Sequence, residues 1–271
     1  MNSATKNELL ELLAYLEPHE RAEMDALLTT TPAAASNGDL TDFYWSNLYI
    51  QDKRDQLLPL TLNRAQQHFL ANRTGRDLVL KARQMGLSTV IQADQFVTAI
   101  TTRTRCATLA HDDSGTMFLR RMADRFWVNL PEHVRPPRGL DNATTTSYPT
   151  TGSEIFIATA GSKNKGRAGT YTRVHGSEVA FWPDAASVMA GLMQGVPDNG
   201  VVVLESTPNG ASGWFYERCM EALDGDSTWA LHFLSWWWDD GYRMALEDGE
   251  ALTYTDEAVS YTHLTLPTKR I

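Results

Sequence analysis

Between Leu57 and Trp238 the chain alternates short apolar runs with longer amphipathic ones, and this alternation constrains its fold more than any other feature. The runs Asp77–Lys81, Cys106–Ala110, Glu154–Thr159, Tyr171–His175, Val201–Glu205 and Trp229–Leu234 have the length and apolar content of buried strands. Helical periodicity fills the gaps near Ser88–Ile100, Ser114–Val128, Ala185–Gly195 and Gly213–Leu223. Parallel neighbours need helix-length crossovers, so this order predicts an α/β fold: a mostly parallel sheet flanked by helices. Ligands of such sheets bind beyond the C-terminal strand ends, which is where function is sought.

Composition narrows the classes. With 42% hydrophobic residues, eight Trp, nine Tyr and nine Phe, the 271-residue chain can bury a core, which excludes wholesale disorder. No apolar run approaches the roughly 18 residues of a membrane span, and no signal-peptide core opens the chain, so no membrane partner is expected. Cys106 and Cys219 are too few for a disulfide scaffold or a Cys-rich zinc site and read as small buried hydrophobes in a reducing cytosol. The histidines lack metal-ligand spacing; His111 and His175 read as polar strand-end residues. The net charge of −9 conceals a basic block, because residues 61–182 hold 16 Lys and Arg against nine Asp and Glu. That block suits either a nucleic-acid backbone or ordinary solvated helix faces.

Four segments follow. Leu9, Leu10, Leu12, Leu13 and Leu16, then Met24, Leu27 and Leu28 beyond Pro18, predict a helical N-terminal segment over 1–38. Residues 39–59 read as a linker with the aromatic run Phe43-Tyr44-Trp45, residues 60–240 as the main domain, and 241–271 as an acidic linker and tail. Residues 260–271 fit no helix or strand pattern, look like a translated sequencing adaptor, and are expected to be non-native. Trp236-Trp237-Trp238 reads as packing.

Three strand exits carry chemistry. The first is Lys81-Ala82-Arg83-Gln84-Met85-Gly86-Leu87-Ser88-Thr89, leading into a helix. Against the phosphate loop GxxxxGK[ST], Gly86 matches the second glycine and Ser88 the metal-binding hydroxyl, while Lys81 and Leu87 replace the first glycine and the lysine. Such a loop aims backbone N–H groups at an anion, and Lys81 and Arg83 are the cations at hand. Alone, Gly-x-Ser equally reads as a helix cap. The second exit sets Ser177-Glu178 where nucleotide hydrolases carry Asp-Glu, the Glu orienting and deprotonating the attacking water. Alone, Glu178 equally reads as a solvated strand-end carboxylate. At the third, an apolar strand breaks into Ser206-Thr207-Pro208-Asn209-Gly210, either a γ-phosphate contact or a plain turn.

In this order and spacing, Arg83-Gln84-x-Gly86-x-Ser88-Thr89, Ser177-Glu178-x-Ala180-Phe181 and Ser206-Thr207-Pro208-Asn209-Gly210 resemble the ATPase domain of the tailed-phage terminase large subunit, the DNA-packaging motor, over about residues 57–240. The resemblance implies an ASCE-type phosphate-loop NTPase domain over 60–240 that hydrolyses ATP with Mg2+ to drive double-stranded DNA into a procapsid. It implies that Gln66, or its neighbour Gln67, reads adenine, and that Lys81 and Arg83 neutralise the phosphates. Gln84, Met85, Gly86, Leu87, Ser88 and Thr89 would surround the nucleotide, with Ser88 on magnesium. Glu178 is the implied catalytic carboxylate, Ser206, Thr207 and Asn209 the implied coupling motif. Two departures stand out: Leu87 lacks the lysine's charge, for which a displaced Lys81 is a variation within the family, and Ser177 reaches magnesium only through water.

Implied partners are DNA, a small terminase subunit, the portal of the procapsid and further copies in a homo-oligomeric ring, in the host cytoplasm and transiently at the portal. A helicase-like DNA-dependent ATPase of the same fold and a catalytically silent nucleotide-binding module remain alternatives, the latter because of Ser177. Arg167, in the basic loop Lys163–Gly169, reads as an arginine finger, a DNA contact or a solvated residue. The family's nuclease domain is not expected, since about thirty residues follow Trp238 and a domain needs at least about 50.

Overall fold

The computed structural model describes residues 37–52, 54–161 and 169–239. Residues 1–36 of the expected helical N-terminal segment, Arg167 and the acidic segment 241–271 lie outside the described residues.

The segment expected to be a linker folds onto the domain. It forms helix α1 (Asn37–Ser46) and an antiparallel pair, β1 (Tyr49–Gln51) and β2 (Leu57–Pro59). Tyr44 and Leu48 enter the core beside Phe96 and Phe126, and the Tyr44 hydroxyl donates to the Val134 carbonyl at 3.0 Å. The aromatic run is thus the buried edge of a packed helix.

Helix α2 (Arg64–Asn72) then precedes the alternating units: β3 (Arg76–Lys81), α3 (Leu87–Thr101), β4 (Arg105–Ala110), α4 (Asp113–Val128), β5 (Thr145–Tyr148), β6 (Ser153–Thr159), β7 (Arg173–Ser177), α5 (Ala185–Met193), β8 (Val201–Ser206), α6 (Trp214–Asp224) and β9 (Ala230–Leu234). The sheet has seven strands in the order β5-β6-β4-β7-β8-β3-β9, all parallel except β5, which runs antiparallel to β6 at the edge. Two differences from expectation have clear causes. Strand β5 is the polar sequence Thr-Thr-Ser-Tyr, which has no apolar signature. Strand β7 lies two residues beyond the apolar run, because the Tyr171 N–H is taken by the Gly195 carbonyl while pairing with β8 continues to Ser177.

Side-chain alternation fills both faces of the sheet. Val79 faces α2 and α3 with Phe69, Leu87, Val90 and Leu234. Its neighbour Leu78 faces α5 and α6 with Met189, Leu192, Phe215 and Leu204. Burial on both faces explains why a central strand such as β8 is apolar from Val201 to Leu204. The register brings the C-terminal strand ends level: Leu80 lies opposite Ser206, and Ser177 opposite Glu205.

Candidate active site

Strand β3 ends at Lys81, and the following loop turns into α3 through Gln84 and Gly86, both left-handed at φ +57° and +71°. No side chain caps α3, so its first N–H groups keep their capacity for an anion. Helix α2 braces this loop. The Asn63 amide donates to the Met85 carbonyl at 3.1 Å, and the Gln66 amide donates to the Gly86 carbonyl at 2.7 Å. Gln66 Oε1 in turn accepts the Asn63 N–H at 2.9 Å, closing a capping box. Both ends of the Gln66 amide are therefore engaged, and reading an adenine edge requires exchanging those bonds. Gln67 is exposed and donates to the Leu62 carbonyl at 2.9 Å.

A Cβ on Gly86 would lie 2.6 Å from Gln66 Nε2. Gly86→Ala thus combines a clash with a left-handed φ and should cost about 1–3 kcal/mol. Denaturant unfolding measures this, and an unchanged midpoint would show that the loop tolerates the change. Met85 and Leu87, expected to surround the nucleotide, are each 1% exposed and send their side chains into the core with Val90 and Ile91. What remains for a ligand there is backbone. Thr89 is half-buried in the first turn of α3.

Glu178 follows β7 at φ +53°, a strained conformation of the kind that collects at functional sites. The third strand exit holds it. Its Oε2 accepts the Thr207 N–H and hydroxyl, each at 3.0 Å, and the Ser206 hydroxyl at 3.4 Å. Asn209 fixes the turn beyond by donating to the Ala180 carbonyl at 3.0 Å. The residues of the expected coupling motif thus grip the expected catalytic carboxylate. Glu178 Oε1 meets Lys81 Nζ at 2.9 Å.

Lys81 also meets Glu205 Oε2 at 3.1 Å, and Glu205 is fully buried. Burial alone would lower the ammonium pKa, but Glu205 and Glu178 outweigh it and raise it. Burial likewise pushes Glu205 up, and Lys81, His175 and Ser88 pull its carboxyl well below the usual range. Ser88 and Ser177 donate to Glu205 Oε1 at 2.6 and 2.8 Å, and His175 Nε2 lies 3.4 Å from the same oxygen. Glu205 is the residue that sequence reasoning missed; its one signal is a lone carboxylate in an otherwise apolar strand.

A second buried carboxyl, Asp77, accepts the Thr74 and Gly75 N–H groups at 2.8 and 2.9 Å and lies 2.9 Å from His232 Nε2. Burial opposes its ionisation, but these bonds hold it below its ordinary value. Both carboxyls stabilise the fold above their unfolded pKa of about 4, and that stability is lost as pH falls through their lower folded values. Their contribution to the melting temperature should be flat from about pH 5 to 8 and decline below about pH 4. A melting temperature rising on acidification below that point would contradict the assignment.

Arg83, Gln84, His111, Glu178, Phe181 and Thr207 line an open cleft of about 360 Å³. Lys81 lies behind that lining, so Arg83 is the expected phosphate cation that faces the cleft. His111, passed over as a strand-end residue, also faces it. Among the described residues no group of three or more His, Cys, Asp or Glu side chains is arranged to hold a metal. Magnesium shared with phosphates asks less, needing a few oxygen donors and several waters. Ser88 and Ser177 fit that need, and the buried Glu205 that accepts from both brings a negative charge beside them.

The HK97 bacteriophage large terminase superposes with a TM-score of 0.60 at 12% identity, over 73% of this chain and 44% of that one. The large-terminase ATPase domain of Thermus phage P74-26 gives 0.52 at 16% identity, over 65% of this chain and 82% of that domain. The chain has the terminase ATPase fold. It spans less than half the HK97 terminase chain and most of the isolated P74-26 domain. No protein-family model and no curated protein match the sequence. The terminase-type sheet places all three motifs at one end, as the register requires. No helix among the described residues is long and apolar enough to cross a membrane.

Proposed function

We propose that this chain is the ATPase domain of a viral terminase large subunit and hydrolyses ATP to move double-stranded DNA into a procapsid. The observation that carries the proposal is Glu178, strained at a strand end, facing the cleft with Arg83 and gripped by Thr207. In the reaction the backbone N–H groups opening α3 and the Arg83 guanidinium bind the β- and γ-phosphates. Glu178 orients a water and takes its proton as the water attacks phosphorus, and ADP leaves with the bond that breaks. Ser88, and Ser177 through water, would hold magnesium, which would supply screening of the phosphate charge. Thr207 shares its N–H and hydroxyl with Glu178, so loss of the γ-phosphate, by freeing Glu178, is transmitted to the turn Ser206–Asn209. DNA meets the basic block of residues 61–182, and the small subunit, the portal and neighbouring copies complete the motor in the host cytoplasm.

Phosphate release by the purified chain, with and without double-stranded DNA and the small subunit, tests this reading. Slow basal release stimulated by duplex DNA is expected. ATP binding without release would favour the silent module, strand separation the helicase, and neither binding nor release would overturn the reading.

A further inference from the structure

Phosphate-loop hydrolases hold magnesium with the loop hydroxyl and one acidic side chain at the end of a neighbouring strand. Here the acidic position is Ser177, which brings no charge. We propose that the carboxylate has moved one strand over and that Glu205 of β8 does the work of the missing aspartate, an inference that rests on the ATPase reading above. Ser177 and Glu205 face each other directly in the β7–β8 register, and Ser177 donates to Glu205 Oε1 at 2.8 Å. The loop hydroxyl of Ser88 donates to that same oxygen at 2.6 Å. A carboxylate this deeply buried needs such donors, and here they are the loop hydroxyl and the residue at the acidic position.

Supporting groups fix the carboxylate further. Gln92 Nε2, on the same helix as Ser88, lies 2.9 Å from His175 Nδ1 and 2.8 Å from the Thr108 hydroxyl. An amide N–H donating to Nδ1 leaves the ring proton on Nε2, the nitrogen facing Glu205. His175 and Gln92 are thus positioning residues that keep the carboxylate oriented, as outer-shell partners do in metal sites. Lys81 Nζ, 3.1 Å from Oε2, holds the second oxygen, so the carboxylate acts through the Ser88 and Ser177 hydroxyls that it orients.

The test uses the full chain in four forms: parent, Glu205→Gln, Glu205→Gln/Ser177→Asp, and Ser177→Asp. Binding of a fluorescent ATP analogue is titrated in EDTA and in Mg2+, and Mn2+ binding in the presence of a non-hydrolysable ATP analogue is followed by electron paramagnetic resonance. Glu205→Gln should keep its metal-free affinity within about threefold but lose about 10–100-fold in Mn2+ affinity, the usual cost of an outer-shell change. Adding Ser177→Asp should restore most of that loss by returning the charge to the neighbouring strand. Full metal dependence in Glu205→Gln, or no restoration by the aspartate, would overturn the inference and leave the ATPase reading intact. A parent that binds no nucleotide would overturn both. Should Glu205→Gln fail to fold, Ser177→Asp alone decides: because Glu205 already supplies the charge, Mn2+ affinity no more than about threefold above the parent's is expected, and a larger gain, as if the parent site held no carboxylate, would overturn the proposal.

Discussion

Glu178→Gln should stop ATP turnover while leaving nucleotide affinity within about tenfold, because a positioned general base contributes about 10²–10⁴ in rate and little to ground-state binding. The amide keeps the shape of the side chain and still accepts from Thr207, but it takes no proton from water. Folding should survive, since Glu178 is partly exposed and Lys81 retains Glu205 as a partner. Phosphate release and equilibrium binding of the analogue separate the two effects. Hydrolysis at the parental rate would remove Glu178 from the chemistry, and a large loss of affinity would make it a binding residue instead.

Features encoded within a few residues were legible in the sequence. Gly86, Ser88 and Glu178 stand in short motifs whose geometry follows from strand, turn and helix, and the apolar runs located all the parallel strands to within two or three residues. What depended on long-range register was not legible. Glu205 acquires its meaning from Ser88 and Ser177, which lie 117 and 28 residues away in sequence. Gln66 braces a loop 20 residues downstream, a contact no local pattern announces. The packing of Tyr44 and Leu48 against Phe96 turned an apparent linker into part of the core, since an aromatic run reveals its partner only once the chain has folded. The different settings of Lys81 and Arg83 were likewise a matter of depth. Two residues apart, one ends a buried strand beneath two carboxylates and the other opens onto the cleft.

That depth makes the loss of Lys81 costly in stability. Lys81→Met keeps the unbranched stem but removes the one cation shared by Glu178 and the fully buried Glu205. Breaking a buried pair by deleting one partner costs about 3–5 kcal/mol, because the remaining charge keeps its desolvation penalty. For a domain of this size each kcal/mol lowers the melting temperature by about 2–4 °C, so a drop of about 6–20 °C is expected. Without its cation, burial should raise the Glu205 carboxyl, and protonation then relieves the penalty. The gap between variant and parent should therefore narrow on acidification from pH 8 toward pH 5, opposite in direction to the acid lability of the parent. Lys81→Met/Glu205→Gln removes both members and should recover part of the lost stability, with the non-additivity measuring their coupling. A single variant that melts with the parent at neutral pH, or a double variant no more stable than the single, would mean that Lys81 is not the counterion of Glu205.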